Sequence, residues 1–303
     1  MTSIESDLVI FLVLLLFSLL PALVYLAWIR KTERYHEEAW GPLLRSFAYG
    51  AFIGTFISLI LELALTSAYS RLLQPDLGIL PKSPTVTLLV AALVIAPFVE
   101  EGVKGLGVLG QQKALRFIAD GLVFGAAVGF GFGFVENLLY GLSGFLVGGI
   151  TTALVILAIR AISTVVMHGS ATAMTGYGIA LDRARGGKGH SMAAYYLLAV
   201  LMHSAFNLLV SLSIILPLVG VPVPYPDYFA LVTLAVAIAY ALGAFGHVRR
   251  RVAELQFQSI SPRYAPQRLS YRPAQAPTRG PAATTRTARV ATAPSYSTTR
   301  PPR

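Results

Sequence analysis

Three ionisable side chains, Glu100, Glu101 and Lys104, interrupt an apolar run that extends from Thr85 to Gly110. A bilayer crossing takes about 20 residues, so the run is long enough to span and its charges fall at membrane depth. Each such charge costs about 2.5 to 3.5 kcal/mol on insertion scales and by default marks a site. In a helix Glu100 and Lys104 lie one turn apart on one face, with Glu101 about 100 degrees round. The chemistry this suits is hydrolysis: Lys104 keeps one carboxylate ionised, and that carboxylate draws a proton from water.

Other apolar stretches carry groups that fit the same scheme: Glu62, Glu136, Arg160, His168 and His203, with Asn137 and Asn207 as neutral partners. Four acids face only Lys104 and Arg160, so the pocket calls for a protonated carboxylate or a bound cation. His203 and Asn207 are four residues apart and share a helix face, suited to donate to an oxyanion. Arg160, eight residues before His168, needs a buried counter-charge, either Glu136 or the Glu100/Glu101 pair. The same residues would hold a divalent metal such as zinc, for which Glu and His are competent ligands. No His-Glu-x-x-His run is present, however, so the residues by themselves favour a glutamate-activated water and leave metal assistance as the second route. Cysteine chemistry is excluded because the chain has no cysteine. Proton- or ion-coupled transport is the alternative use of buried Glu, Lys and His.

The elements that position these groups are membrane helices. With 55% hydrophobic residues, 13% charged residues and a mean hydropathy of +0.66, the 303-residue chain reads as an all-α polytopic membrane protein. Apolar runs predict seven spans, at about 8–29, 46–68, 85–110, 118–140, 148–181, 192–217 and 228–246. The fifth is long, and Gly169, Gly176 and Gly178 are the places where it would break. Gly121, Gly125, Gly129 and Gly133 recur every fourth residue, a small-residue seam for close helix packing, and Asn137 continues that stripe. Twelve Lys or Arg residues fall in loops on one side, against Arg71 and Lys82 on the other. This places the N-terminus outside and the C-terminus in the cytoplasm of a cell-membrane protein. In that topology Glu136 sits toward the outer end of its helix, away from Glu100, Glu101 and His168.

The membrane domain is expected over residues 1–250, with a basic Pro/Thr/Arg-rich tail over 251–303. Residues 261–303 contain eight arginines and no acid, and account for most of the net charge of +10. Their composition cannot bury a core and predicts disorder. Such a tail would be drawn to anionic lipid headgroups. No folded nucleic-acid reader is present, so no specific nucleic-acid partner is expected.

Four motifs together resemble the PrsW family of intramembrane proteases, the anti-sigma-factor-degrading type distantly related to the CAAX prenyl proteases. They are Glu100-Glu101-x-x-Lys104; Asp120-Gly121 leading through a glycine-rich helix to Phe132, Glu136 and Asn137; Arg160 followed by His168, Gly176 and Tyr177; and His203-x-x-x-Asn207. They occupy about residues 95–210. The resemblance implies an endopeptidase acting on a membrane-anchored, single-span protein substrate. It implies Glu100, Glu101, His168 and His203 as the catalytic core, supported by Lys104, Glu136, Asn137, Arg160 and Asn207.

Overall fold

The computed structural model describes residues 3–73 and 83–260. Lys82 and the 261–303 tail lie outside the described residues. Within them the chain is helical, with no strand: α1 (Ser3–Arg30), α2 (Trp40–Ala48), α3 (Thr55–Ala68), α4 (Pro84–Val90), α5 (Ala96–Gly110), α6 (Ile118–Ile162), α7 (Thr164–Ala184), α8 (His190–Leu218) and α9 (Pro226–Ile260). Wider π-helical turns at Tyr49–Gly54, Tyr69–Leu73 and Ala91–Ile95 continue the helices they adjoin. The last has a local cause. Pro97 has no N–H to offer the carbonyl four residues back and its ring crowds that carbonyl, so the turn ahead of it opens.

Among the described residues, six continuous helical stretches are long and apolar enough to cross a membrane. The longest, Ile118–Ala184, has 67 residues and would reach about 100 Å if straight. It is not straight. Gly148 and Gly149 leave helical geometry, Gly149 at φ +72°, a backbone state that side-chain-bearing residues avoid. The two legs then run back along each other: a Cβ on Gly144 would strike Ile156, one on Gly141 would strike Leu157, and one on Gly133 would lie 3.1 Å from Val165 Cα. Counted as two legs, this stretch brings the crossings to the expected seven.

Three boundaries differ from the sequence expectation. The fifth span breaks at Ser163 (φ −120°, ψ −77°) and not at Gly169, Gly176 or Gly178, which lie inside α7. Those glycines serve close packing: a Cβ on Gly169 would enter the Phe130 ring, and one on Gly176 would meet the Gly121 carbonyl. The last helix runs to Ile260, so the first ten residues assigned to the tail are helix, with Val252, Leu255 and Gln256 buried. The first leg of the hairpin is also longer than 118–140, reaching the turn at Gly148.

The glycine seam packs α6 on α7. A Cβ on Gly121, Gly125 or Gly129 would collide with the backbone at Gly176, Thr172 or His168 respectively. Backbone-to-backbone approach of this kind supplies van der Waals contact where no hydrophobic driving force acts between helices. The opposite face of α6 is equally close, since a Cβ on Gly131 would meet the Phe47 carbonyl. The resulting core includes Phe124, Phe130, Leu122 and Val128, all fully buried. Large apolar residues cover the outside, as at Phe52, Leu88 and Val147.

Loops that the charge count puts on one side meet at one end of the bundle. Gln256 Oε1 accepts the backbone N–H groups of Tyr35 and His36 at 3.2 and 3.0 Å. Arg249 Nε donates to Thr32 Oγ1 at 3.1 Å, Arg116 Nη2 pairs with Glu38, and Arg183 Nη1 donates to the Gln112 carbonyl.

Candidate active site

α5 delivers Glu100, Glu101 and Lys104 to the interior, where all three are buried. Lys104 Nζ lies 3.2 Å from Glu100 Oε2, 2.6 Å from Glu101 Oε1 and 3.0 Å from His168 Nδ1. An ammonium has three protons and no acceptor, so these contacts use its whole donor capacity. His168 Nδ1 must then accept, which leaves the proton on Nε2 to be donated to Glu136 Oε2 at 2.6 Å. Glu136 Oε2 is in turn 3.1 Å from Arg160 Nη2. A continuous chain of alternating charge and imidazole thus links α5 through α7 to both legs of α6.

His203, from α8, approaches the other side of the pair. Its Nδ1 is 3.1 Å from Glu101 Oε1 and 3.9 Å from Glu100 Oε2. Donation from Nδ1 to the Glu101 carboxylate leaves Nε2 with a free lone pair. The two imidazole rings stand 4.9 Å apart at nearly a right angle. One donor atom from each of Glu100, Glu101, His168 and His203 lies within 4.8 Å of the other three.

The two glutamates are not equivalent. Glu101 is fully buried and takes hydrogen bonds from Lys104 and, at 3.0 Å, from Thr172 Oγ1, besides its contact with His203. Glu100 lines a cavity of about 500 Å³, together with His168, His203, Glu136, Arg160 and Glu62. Water and a peptide would therefore meet Glu100 first.

Each residue expected at the site can be placed. Glu100, Glu101, His168, His203, Lys104, Glu136 and Arg160 are brought together, and Arg160 takes the first of its two expected partners, Glu136. Glu136 is at the level of His168 and bonded to it, so the depth mismatch expected from span counting does not exist. The reason is the length of the α6 leg, which carries Glu136 further from the turn than a span ending at residue 140 allows. Asn207 lines the cavity, but its Nδ2 donates to the Ala92 carbonyl at 2.7 Å, in the widened turn before Pro97. Asn137 is buried away from the cavity lining, and neither of its amide atoms has a hydrogen-bond partner among the described residues.

Sequence reasoning misses the roles of three contributors. Thr172 follows His168 by four residues and therefore shares its helix face, the one signal that points to it. Phe132 places its ring 4.4 Å from Lys104 Nζ, and Tyr140 stacks under the Arg160 guanidinium at 3.7 Å. Such aromatic faces stabilise cations that have lost their water.

The donor set fits a divalent metal. Two imidazoles and two carboxylates are ordinary zinc ligands, they converge from three helices, and Glu62, Glu100, Glu101 and Glu136 together exceed Lys104 and Arg160 by two formal charges. An all-helical bundle that gathers two glutamates and two histidines beside a cavity fits the hydrolytic scheme. The chain belongs to the PrsW family: the model described as "PrsW family intramembrane metalloprotease" matches residues 38–242. It is 26% identical over 204 residues to "Protease PrsW" of Clostridioides difficile (strain 630), covering 64% of this chain and 77% of that protein. No solved structure matches. The chain is accordingly a multi-pass membrane protein and a peptide hydrolase of the intramembrane type.

Proposed function

We propose that the protein is an intramembrane endopeptidase in which Glu100 is the general base for water attack on a single-span membrane protein substrate. The observation that carries this reading is the asymmetry of the pair, with Glu101 engaged by three partners and Glu100 open to the cavity. Glu100 removes a proton from water as the oxygen bonds to the peptide carbonyl carbon. The same proton then passes to the departing amide nitrogen as the C–N bond breaks, so no net acid or base is consumed. Lys104 and Arg160 hold positive charge close to the developing oxyanion, and burial strengthens that attraction. His168 is fixed in its tautomer by Lys104 on one nitrogen and Glu136 on the other.

The family description and the four converging donors favour metal assistance over the metal-independent route. His203, His168 and Glu101 would hold the ion, the last two through lone pairs that Lys104 Nζ contacts without it, zinc being the best chemical match. Such an ion supplies a Lewis acid that polarises the scissile carbonyl and acidifies water. The test uses purified protein in detergent with a panel of single-span substrates, following new termini by mass spectrometry. Glu100→Gln should lower turnover by about 100-fold or more with the fold intact, and a chelator should stop the wild type until metal is returned. Wild-type turnover by Glu100→Gln would end the general-base assignment.

The same reading places the protein in the cell membrane with its N-terminus outside and its C-terminus in the cytoplasm. Support comes from the basic loops that share one end of the bundle. The arginine-rich tail is assigned to anionic lipid headgroups, an attraction that salt should weaken.

A further inference from the structure

Asp120 heads the glycine-rich motif, yet it lies sixteen residues before Glu136, about 24 Å away along the helix. The catalytic cluster does not use it. Asp120 meets Glu33 and Glu38, from the segment joining α1 to α2, and one carboxylate oxygen of each lies within 4.8 Å of the others. Glu33 and Asp120 are fully buried and Glu38 is 3% exposed.

Protein partners satisfy only part of this cluster. Glu33 Oε2 accepts the Glu38 backbone N–H at 3.0 Å, and Asp120 Oδ2 accepts those of Arg116 and Phe117 at 2.6 and 2.8 Å. Glu38 Oε1 pairs with Arg116 Nη2 at 2.8 Å. Glu33 Oε1 and Asp120 Oδ1 are buried with no hydrogen-bond partner among the described residues. Arg30, the next guanidinium, directs Nη2 to Glu37 and Nε to the Glu38 carbonyl. Three buried carboxylates against the exposed Arg116 leave a formal surplus of two negative charges. Burial, with the charges of Asp120 and Glu38 adding to it, pushes the Glu33 carboxyl up to about 9.

We propose that Glu33, Glu38 and Asp120 form an oxygen-ligated divalent-cation site, of calcium type, that ties the α1–α2 segment to the start of α6. Hard cations select carboxylate oxygens, and this cluster offers neither imidazole nor thiolate. Oxygens gathered within 4.8 Å of one another are close enough for one ion with calcium–oxygen bonds of about 2.3 to 2.6 Å to touch all three. Magnesium usually keeps several of its waters, which a buried cluster of protein oxygens favours less than it favours calcium. The site is separate from the catalytic cluster and does not depend on the mechanism assigned there.

The experiment uses the full chain in detergent, stripped with a chelator and then titrated with calcium chloride at fixed ionic strength, with magnesium chloride in parallel. At about a hundredfold excess over Kd the unfolding midpoint of the wild type should rise by roughly 5 to 10 °C. Equilibrium dialysis with radioactive calcium should show one ion bound per chain. Glu33→Gln and Asp120→Asn should each lose both signals, whereas Glu100→Gln should keep them. Asn at 120 retains an oxygen acceptor for the Arg116 and Phe117 N–H groups, so this variant decides the matter if Glu33→Gln does not fold. No calcium binding by the wild type, or an equal midpoint shift in both carboxylate variants, would overturn the proposal.

Discussion

Lys104 is fully buried, and its three protons go to two carboxylates and an imidazole. The consequence is that neighbouring ion pairs share partners. Arg160 and Glu136 are 15% and 22% exposed, open on one side to the cavity. Arg160→Met should therefore destabilise by about 2 to 3 kcal/mol, below the roughly 3 to 5 kcal/mol of a fully enclosed pair. Combined with Glu136→Gln, the two losses should fall short of additivity by about 0.5 to 3 kcal/mol, read from unfolding in detergent. Strict additivity would mean that Tyr140 and the cavity, and not Glu136, hold the guanidinium. Glu33 gives a pH effect of definite sign. Its folded value of about 9 exceeds the roughly 4.3 of an unfolded glutamate, so the native state binds the extra proton between these limits. Stability in chelator should then fall as pH rises from about 4.5 toward 9, by at most about 1.4 kcal/mol per pH unit. Glu33→Gln should flatten that slope, and an unchanged slope would assign it to other groups.

At the scale of elements, the α6–α7 hairpin determines whether His168 reaches Glu136 and Lys104. A methyl group on Gly129 would collide with the His168 and Gly169 backbone, so the helices would have to part at the level of the site. Gly129→Ala should cost about 1 to 3 kcal/mol as overpacking and reduce turnover more than it reduces folding. Gly243, inside α9, has open space where a methyl group would stand, with nothing within 4 Å. There the same substitution should be neutral or stabilising by up to about 1 kcal/mol, because alanine restricts the unfolded chain and favours the helix. Equal effects at both positions, measured by unfolding and by cleavage rate, would remove the seam from the account of activity. The Pro97 turn acts at the same scale, since the Ala92 carbonyl that receives Asn207 belongs to the widened turn ahead of it.

For the whole molecule, the end opposite the hairpin turn at Gly148 is tied together by the α1–α2 segment, the start of α6 and the last turns of α9. Gln256 bonds both Tyr35 and His36, while Val252 and Leu255 enter the core. Truncation after residue 260 should leave turnover in detergent unchanged. Truncation after residue 250 should lower the unfolding midpoint, because it exposes these apolar contacts and strands the two backbone N–H groups. Activity lost already at the first truncation would make the tail part of the enzyme.

The sequence by itself determined the membrane class, the approximate number of crossings and most of the candidate cluster. Lipid leaves few solutions for an apolar chain, and charged residues within it stand out against a background that cannot tolerate them unpaired. Glu100, Glu101, Lys104, His168 and His203 were legible for that reason, as was the need of Arg160 for an acid. Helical periodicity also made the glycine seam readable as a packing surface. Tertiary structure decided which glutamate faces the cavity, because burial of Glu101 depends on Thr172 and His203 arriving from two other helices. It also decided the level of Glu136, which depends on where a long helix turns back, and the meeting of Glu33, Glu38 and Asp120 across more than eighty residues of chain. Periodicity describes one helix at a time and has no term for the register between two.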